Sequence, residues 1–265
     1  MAIEKASGVA IRIVDYSETS QIATFLTDRF GKLSAIAKGA KRAASATGGA
    51  LDLLTLNEIV FSTSASGNLA ILREARTLEQ FPGIRATPAH YYAALYFAEL
   101  SGIFGEGSEG SSAHFDLLAS ALRALSRADE GAIPNLVSYF ESHTLIAGGL
   151  APNLAECARC GRKIEPSAAA RVSVLDGGIL CASCTGGVGI GRGSLAALKR
   201  VFQSTLQGAT RLRLRRDIQS DVSGLLAALV VHNARHVPKL MKYVRRGFQA
   251  ALRRWMGAGA PGEST

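Results

Sequence analysis

The sequence predicts an α+β protein that begins with a small β-barrel, continues into helices and carries a cysteine-held ribbon. Three observations lead there. Five short β-rich runs fall within the first 80 residues, helical periodicity takes over after Phe81-Pro82, and all four cysteines lie in the stretch 157–184 as two CxxC pairs. At 265 residues with 48% hydrophobic side chains, the chain can bury sizeable cores and suits two domains, or one domain with an insert.

The β-rich runs come first. Val9 to Val14 alternates, Ile22 to Leu26 and Lys32 to Ala37 follow, and Leu53 to Ser62 and Leu69 to Leu78 complete five. Turns are expected at Asp15 to Glu18, at Asp28 to Gly31, in the small-residue stretch 39–50 and at Ser64 to Gly67. Five short strands in so few residues close into a small barrel. An OB-fold has that strand count and commonly takes single-stranded nucleic acid, but other small barrels share the count.

Helices follow. His90 to Phe104 is apolar around most of its circumference and should be buried, so its aromatics Tyr91, Tyr92, Tyr96 and Phe97 read as core rather than as a stacking platform. A connector at 106–112 leads to a helix over His114 to Ala128, and Pro134 opens another through Ile146. Beyond the cysteines, the glycine-rich stretch Gly186 to Gly193 lacks the features of a phosphate loop and reads as a linker. Ser194 is expected to cap a helix over Leu195 to Leu206 that turns Leu198, Val201 and Phe202 inward. Arg211 to Arg216 alternates arginine with leucine and suits an extended segment. A helix then runs from Asp217 to His236, with a boundary at Pro238 before Lys239 to Arg246. Residues 251–265 are expected to form a disordered tail.

Cys157, Cys160, Cys181 and Cys184 have the spacing of a zinc site. Each CxxC puts two thiolates on one tight turn, and two such turns supply the closed Cys₄ set of one structural Zn²⁺; a catalytic zinc keeps an open position. Disulfides and a redox-active pair are the alternatives. The N-terminus shows no apolar leader and no run approaches a membrane span, so a reducing cytoplasm is expected; no βαβ pattern surrounds either CxxC. Between the pairs, Arg171 to Leu175 and Gly178 to Leu180 read as strands joined by an Asp176-Gly177 turn.

The net charge of +9 is unevenly placed, with +1 over residues 1–80, −5 over 81–156, +2 over 157–184 and +11 over 185–265. A basic C-terminal third suits a polyanion or an acidic partner, or is a solvated face. Lys38-Gly-Ala-Lys-Arg42 is a second basic stretch, placed where a loop leaves a barrel strand. Such a loop can track phosphates without reading bases. No catalytic triad, paired-carboxylate pattern or nucleotide loop is present, which argues against an enzyme.

Together these stretches resemble the RecO family, bacterial recombination mediators of DNA repair. Val9 to Leu33 resembles the family's first strand, turn and second strand, Ala37 to Arg42 its basic loop, and Phe81-Pro-Gly83 its exit from the barrel. Gly149-Leu-Ala-Pro-Asn-Leu154, leading into Cys157-Ala-Arg-Cys-Gly161, is the most specific piece, and Gly177 to Cys184 completes it. Leu225 to Leu240 is similar to the family's last helix, although His236-Val-Pro-Lys-Leu240 departs from its leucine-lysine-serine ending.

The resemblance implies an OB-fold over 1–80 and a helical domain made of 81–156 and 185–250, with the zinc ribbon 157–184 inserted. It also implies a non-enzymatic, cytoplasmic, nucleoid-associated protein. Such a protein binds single- and double-stranded DNA, anneals complementary strands, joins RecR and helps RecA load onto DNA coated by single-stranded DNA-binding protein (SSB). Carried over by residue, Lys38, Lys41 and Arg42 are the expected DNA contacts, with Lys32 and Arg12 beside them. On charge alone, Arg211, Arg213, Arg215, Arg216, Lys242, Arg245 and Arg246 are candidates for DNA or for the acidic, apolar SSB tail. An OB-fold protein that binds RNA or serves translation, with a structural zinc ribbon, is the alternative reading.

Overall fold

The computed structural model describes residues 2–42, 49–63, 69–105, 111–164 and 170–257. The expected turn at Ser64 to Gly67, half of the 39–50 stretch, most of the 106–112 connector, and residues 258–265 lie outside them. The chain forms two compact units, Met1–Arg127 and Ala128–Thr265.

The first unit contains five strands, β1 (Ile3–Asp15), β2 (Gln21–Thr27), β3 (Gly31–Ala37), β4 (Leu56–Ser62) and β5 (Ala70–Glu79). They close into a barrel in the order β1-β2-β3-β5-β4, with β3 and β5 parallel and every other pair antiparallel. This is the OB-fold. Strand β1 serves two neighbours, since Gly8 lies opposite both Thr27 and Asn57, and Val9 opposite both Leu26 and Leu56. A bulge between Ala10 and Arg12 bends the strand as it passes from one partner to the other. Gly8 suits the crowded point, because a Cβ there would stand 3.1 Å from the Cβ of Phe25. Alanines 6, 10, 23, 35, 37 and 70 line the interior, and Phe25, Ile59 and Phe61 fill what remains. Phe30 packs edge-on against Phe61 at 5.3 Å.

Helices α1 (Pro88–Phe104) and α2 (Ser111–Leu125) belong to this unit and pack against the barrel. By compactness the chain divides after Arg127, so α1 and α2 group with the barrel. The physical reason is apolar surface on the outside of the barrel. Val9 and Leu26 sit opposite each other on the outward side and are fully buried, with a Cβ on Gly105 of α1's end coming within 2.8 Å of Leu26. Thr87 caps α1 by accepting from the His90 N–H. Phe81-Pro-Gly83 forms the exit. Phe81 is buried with φ 48°, and the Gly83 N–H donates to Ser126 Oγ at 2.9 Å. No side chain fits at Gly83, since a Cβ would lie 1.8 Å from the Ser126 carbonyl.

The second unit combines packed helices with a small sheet. Helices α3 (Ile133–Ala147), α4 (Arg192–Gln203), α5 (Leu206–Arg211) and α6 (Arg216–Ala234) pack around a core that includes Leu136, Phe140, Leu198, Val201, Leu225 and Leu229. Every residue from Gly224 to Val231 is buried, so α6 is the central helix. Several boundaries differ from the sequence reading. Helix α4 starts at Arg192, and Ser194 lies inside its first turn, where its hydroxyl donates to Asp221 at 2.7 Å instead of capping. Arg211 ends a short helix, and only Leu212 to Arg215 is extended.

Lys239 to Arg246 contains one helical turn, α7 (Met241–Val244), and Gly247 at φ 70° separates it from α8 (Phe248–Met256). Residues 251–256, expected in a disordered tail, are thus helical. Phe248, Ala251, Leu252 and Trp255 recur at helical spacing, Leu252 and Trp255 are buried, and the helix packs against α6 at Gly224.

Arg245 is an internal residue here. Its side chain is 6% exposed and its guanidinium pairs with fully buried Glu141 of α3 and donates to Ser138 Oγ at 3.1 Å. A buried charge left without its partner is costly. Glu141→Ala is expected to destabilise this unit by about 3–5 kcal/mol, while Glu141→Leu with Arg245→Met should come close to wild type; urea denaturation of the three proteins checks both.

Candidate metal centre and nucleic-acid interface

The cysteines sit on a three-stranded ribbon, β6 (Ala170–Ser173), β7 (Gly178–Leu180) and β8 (Val188–Ile190), in the order β7-β6-β8. The glycine-rich stretch read as a linker thus supplies an edge strand: Val188 and Ile190 pair with Val172 and Ala170. The sulfurs of Cys157, Cys160, Cys181 and Cys184 all lie within 4.8 Å of one another. Cys157 Sγ is 3.8 Å from Cys184 Sγ, and Cys160 Sγ is 3.7 Å from Cys181 Sγ. Sulfurs about 2.3 Å from a tetrahedral ion such as zinc stand about 3.8 Å apart; a disulfide needs about 2 Å. The spacing is that of a metal cage.

Charge agrees with geometry. The backbone N–H of Cys181 is the chief influence drawing the Cys157 thiol down to about 6. The side chains of Cys160 and Cys181 push Cys184 up to about 12. Four sulfurs this close cannot all ionise by themselves, and a bound cation supplies the charge that lets them.

Residues that hold the cage were not singled out from the sequence. Asn153 threads beside β7: its N–H donates to Gly177 at 2.8 Å, its carbonyl accepts from Ile179 at 2.9 Å, and its side chain accepts from the N–H groups of Ala155 and Glu156. Arg159 lies between the first CxxC pair and pairs with Asp176 on the hairpin at 2.8 Å, lowering the Asp176 pKa, while a second nitrogen donates to the Thr185 carbonyl. Gly178 must be glycine, because a Cβ would stand 2.4 Å from the Asn153 carbonyl. The signal was present as Asn153 shortly before the first CxxC and as the Asp176-Gly177 turn.

In the barrel, Lys38, Lys41 and Arg42 leave β3 beside the β1–β2 turn. The Lys41 N–H donates to the Thr19 carbonyl at 3.0 Å and the Gly39 N–H to Ser20 Oγ at 3.3 Å, so loop and turn are stitched together. Lys38 and Arg42 are exposed. The Lys41 ammonium pairs with Asp15 at 2.7 Å, which holds the Asp15 carboxyl below its usual range. Arg12 is exposed on β1, while the Lys32 ammonium donates to the Gly102 carbonyl near the end of α1 at 3.1 Å. Lys38, Arg42 and Arg12 therefore present charge outward, and Lys41 and Lys32 also hold the fold.

In the second unit Arg211, Arg213, Arg215 and Arg216 are all exposed around buried Leu212, as their alternation with leucine implies. Arg215 pairs with Asp217 at 2.6 Å. Lys242 and Arg246 are exposed, the Lys242 ammonium 5.0 Å from the centre of the Tyr243 ring. Arg245, buried against Glu141, does not join this surface. Phe202, expected inward, is partly exposed and lines an open groove with Ile146, Pro152, Leu154 and Lys199.

Two family models match the chain, Recombination protein O N terminal over residues 1–81 and Recombination protein O C terminal over residues 85–239. The chain belongs to the RecO family. A DNA repair protein RecO from Anaeromyxobacter dehalogenans strain 2CP-C is 32% identical over 233 residues, covering 86% of this chain and 91% of that protein. A DNA repair protein RecO from Dehalococcoides mccartyi strain CBDB1 is 26% identical over 244 residues, 91% of this chain and 94% of the relative. RecO membership supports a role in DNA repair and recombination. Among the described residues no helix is long and apolar enough to cross a membrane.

Cys181→Ser is expected to abolish stoichiometric metal binding, measured by elemental analysis of dialysed protein. Gly178→Val should do so too by forcing Asn153 away from β7; full metal retention in Gly178→Val would contradict the packing described.

Proposed function

We propose that the chain is a non-enzymatic recombination mediator of DNA repair. In this reading it binds single- and double-stranded DNA through the barrel, anneals complementary strands and, with RecR, helps load RecA onto SSB-coated single strands in the cytoplasm, at the nucleoid. The observation that carries the reading is an OB barrel of a RecO-family chain whose stitched loop presents Lys38 and Arg42 outward, with Arg12 exposed on β1. The mechanism is electrostatic. Lysine and arginine replace condensed counterions on phosphates, and two strands held near one positive surface repel each other less.

The ribbon holds one structural Zn²⁺ on Cys157, Cys160, Cys181 and Cys184. A sulfur tetrahedron favours zinc or iron, and a closed set leaves no position for chemistry. The groove of Ile146, Pro152, Leu154 and Phe202 with Lys199 suits the acidic, apolar SSB tail. The exposed Arg211, Arg213, Arg215, Arg216, Lys242 and Arg246 are further sites for DNA or for that tail.

Lys38→Glu with Arg42→Glu is expected to weaken single-stranded DNA binding at least about tenfold and to flatten the dependence of log affinity on log salt by about one to two. Lys41 is left in place because it anchors Asp15. Unchanged affinity and slope, measured by fluorescence anisotropy, would remove the barrel loop from the interface, and preference for RNA over DNA at equal salt would favour a different nucleic acid. For the groove, Lys199→Glu should reduce affinity for an SSB-tail peptide by about tenfold, checked by titration calorimetry, with DNA affinity unchanged.

A further inference from the structure

Beside the basic loop, the outer face of the barrel carries apolar residues that phosphate binding does not use. Val14 of β1 lies opposite Ile22 of β2, Ile22 opposite Ile36 of β3, and Ile36 opposite Ile71 of β5. Four β-branched side chains thus form one row across four strands. Val14 is 38% exposed, and Ile22, Ile36 and Ile71 are half-buried. Two residues beyond Val14, Tyr16 opens the β1–β2 turn with 64% of its surface exposed, and Leu69 before β5 is 36% exposed. A solvated barrel face ordinarily carries polar residues at such positions, and the next row does so, with Arg12 opposite Thr24 and Thr24 opposite Ser34. On the opposite side of the barrel, β4 and β5 show charges that neutralise one another, Glu58 pairing with Lys5 at 3.0 Å and with Arg76 at 3.4 Å.

A contiguous apolar strip on a soluble surface marks a contact, and its surroundings select the partner. The strip is bordered by exposed Lys38 and Arg42 on one side and Arg12 on the other. The nearby acids are Asp15, which Lys41 neutralises, and Glu18 at the turn. Apolar, π-rich groups strung on a polyanion fit this pattern, and in a duplex such faces are stacked away. The hydrogen bonds from the Lys41 N–H to the Thr19 carbonyl and from the Gly39 N–H to Ser20 Oγ hold the turn that carries Tyr16 beside the basic loop.

We infer that this strip is a base-contact site for unpaired nucleotides, with Tyr16 as its stacking residue and Val14, Ile22, Ile36 and Ile71 as the floor on which bases lie. The inference rests on the reading that the barrel binds DNA and adds to it the discrimination between single and double strands. Stacking does not displace counterions, so it raises affinity for unpaired bases without steepening the salt dependence.

The test compares the zinc-loaded full chain on two fluorescent oligonucleotides of equal length, one oligo-dT and one with the same phosphates but abasic sugars throughout. Wild type is expected to bind oligo-dT about tenfold more tightly than the abasic strand. Tyr16→Ala should lose most of that preference with its salt slope unchanged, and Tyr16→Phe, which keeps the ring, should retain it. Equal binding of the two strands by wild type, or a full preference in Tyr16→Ala, overturns the inference and leaves the strip to a protein partner. Lys38→Glu with Arg42→Glu separates the two levels. If it weakens both strands alike while Tyr16→Ala changes nothing, the stacking site fails and the barrel reading stands; if it weakens neither, the barrel reading fails as well.

Discussion

Closure of the barrel depends on β1 pairing with two strands at once. Gly8 and Val9 each face a residue of β2 on one side and of β4 on the other, and the bulge after Ala10 turns the strand between them. Only with that bend do β3 and β5 meet in their short parallel pairing at Ala35 and Ile36. The alanine-lined interior is the steric counterpart, since a narrow barrel that holds Phe25, Ile59, Phe61 and Leu72 needs small side chains around them. The antiparallel run β1-β2-β3 brings the β1–β2 turn beside the loop that leaves β3 and lines up Val14, Ile22 and Ile36, and the β3–β5 pairing adds Ile71 to the same outer row.

The second unit is held by different physics. Its helices bury a continuous apolar core around α6, but the ribbon is too small to do so and relies on its sulfur cage, on Asn153 threaded against β7 and on the Arg159–Asp176 pair. The +11 charge of residues 185–265 is also less available than a count implies. Arg245 is internal, Arg254 pairs with Asp221 and stacks on Trp255, and Arg215 pairs with Asp217. Exposed arginine remains at Arg211, Arg213 and Arg216, around the buried Leu212 whose carbonyl accepts from Asn135 at 2.8 Å, and also at Arg200, Arg235, Arg246 and Arg253.

What the sequence made legible follows from local signals. Alternation in Val9 to Val14 and β-branching in Ile22 to Leu26 mark strands because both side-chain faces are set within a few residues. The CxxC pairs likewise announce a cage through spacing alone. Long-range compensation was not legible. Arg245 reads as one more surface cation until the fold brings Glu141 to it across more than a hundred residues. The grouping of α1 and α2 with the barrel depends on outward-facing Val9 and Leu26, whose orientation needs the register of β1 and β2. Val188 to Ile190 was hidden by surrounding glycines, and α8 by its shortness, although Phe248, Ala251, Leu252 and Trp255 keep helical spacing. In the candidate interface the basic loop could be read directly, whereas the apolar row exists only across four strands.

The proposed activity requires a surface that holds two DNA strands together, and strand annealing tests it most directly. Complementary oligonucleotides carrying a fluorescence donor and acceptor would be mixed with the chain at low and moderate salt, first bare and then coated with SSB. Annealing faster than the spontaneous rate on bare strands, weakened by salt and persisting on coated ones, is the expected result. No acceleration on bare strands at low salt would contradict it.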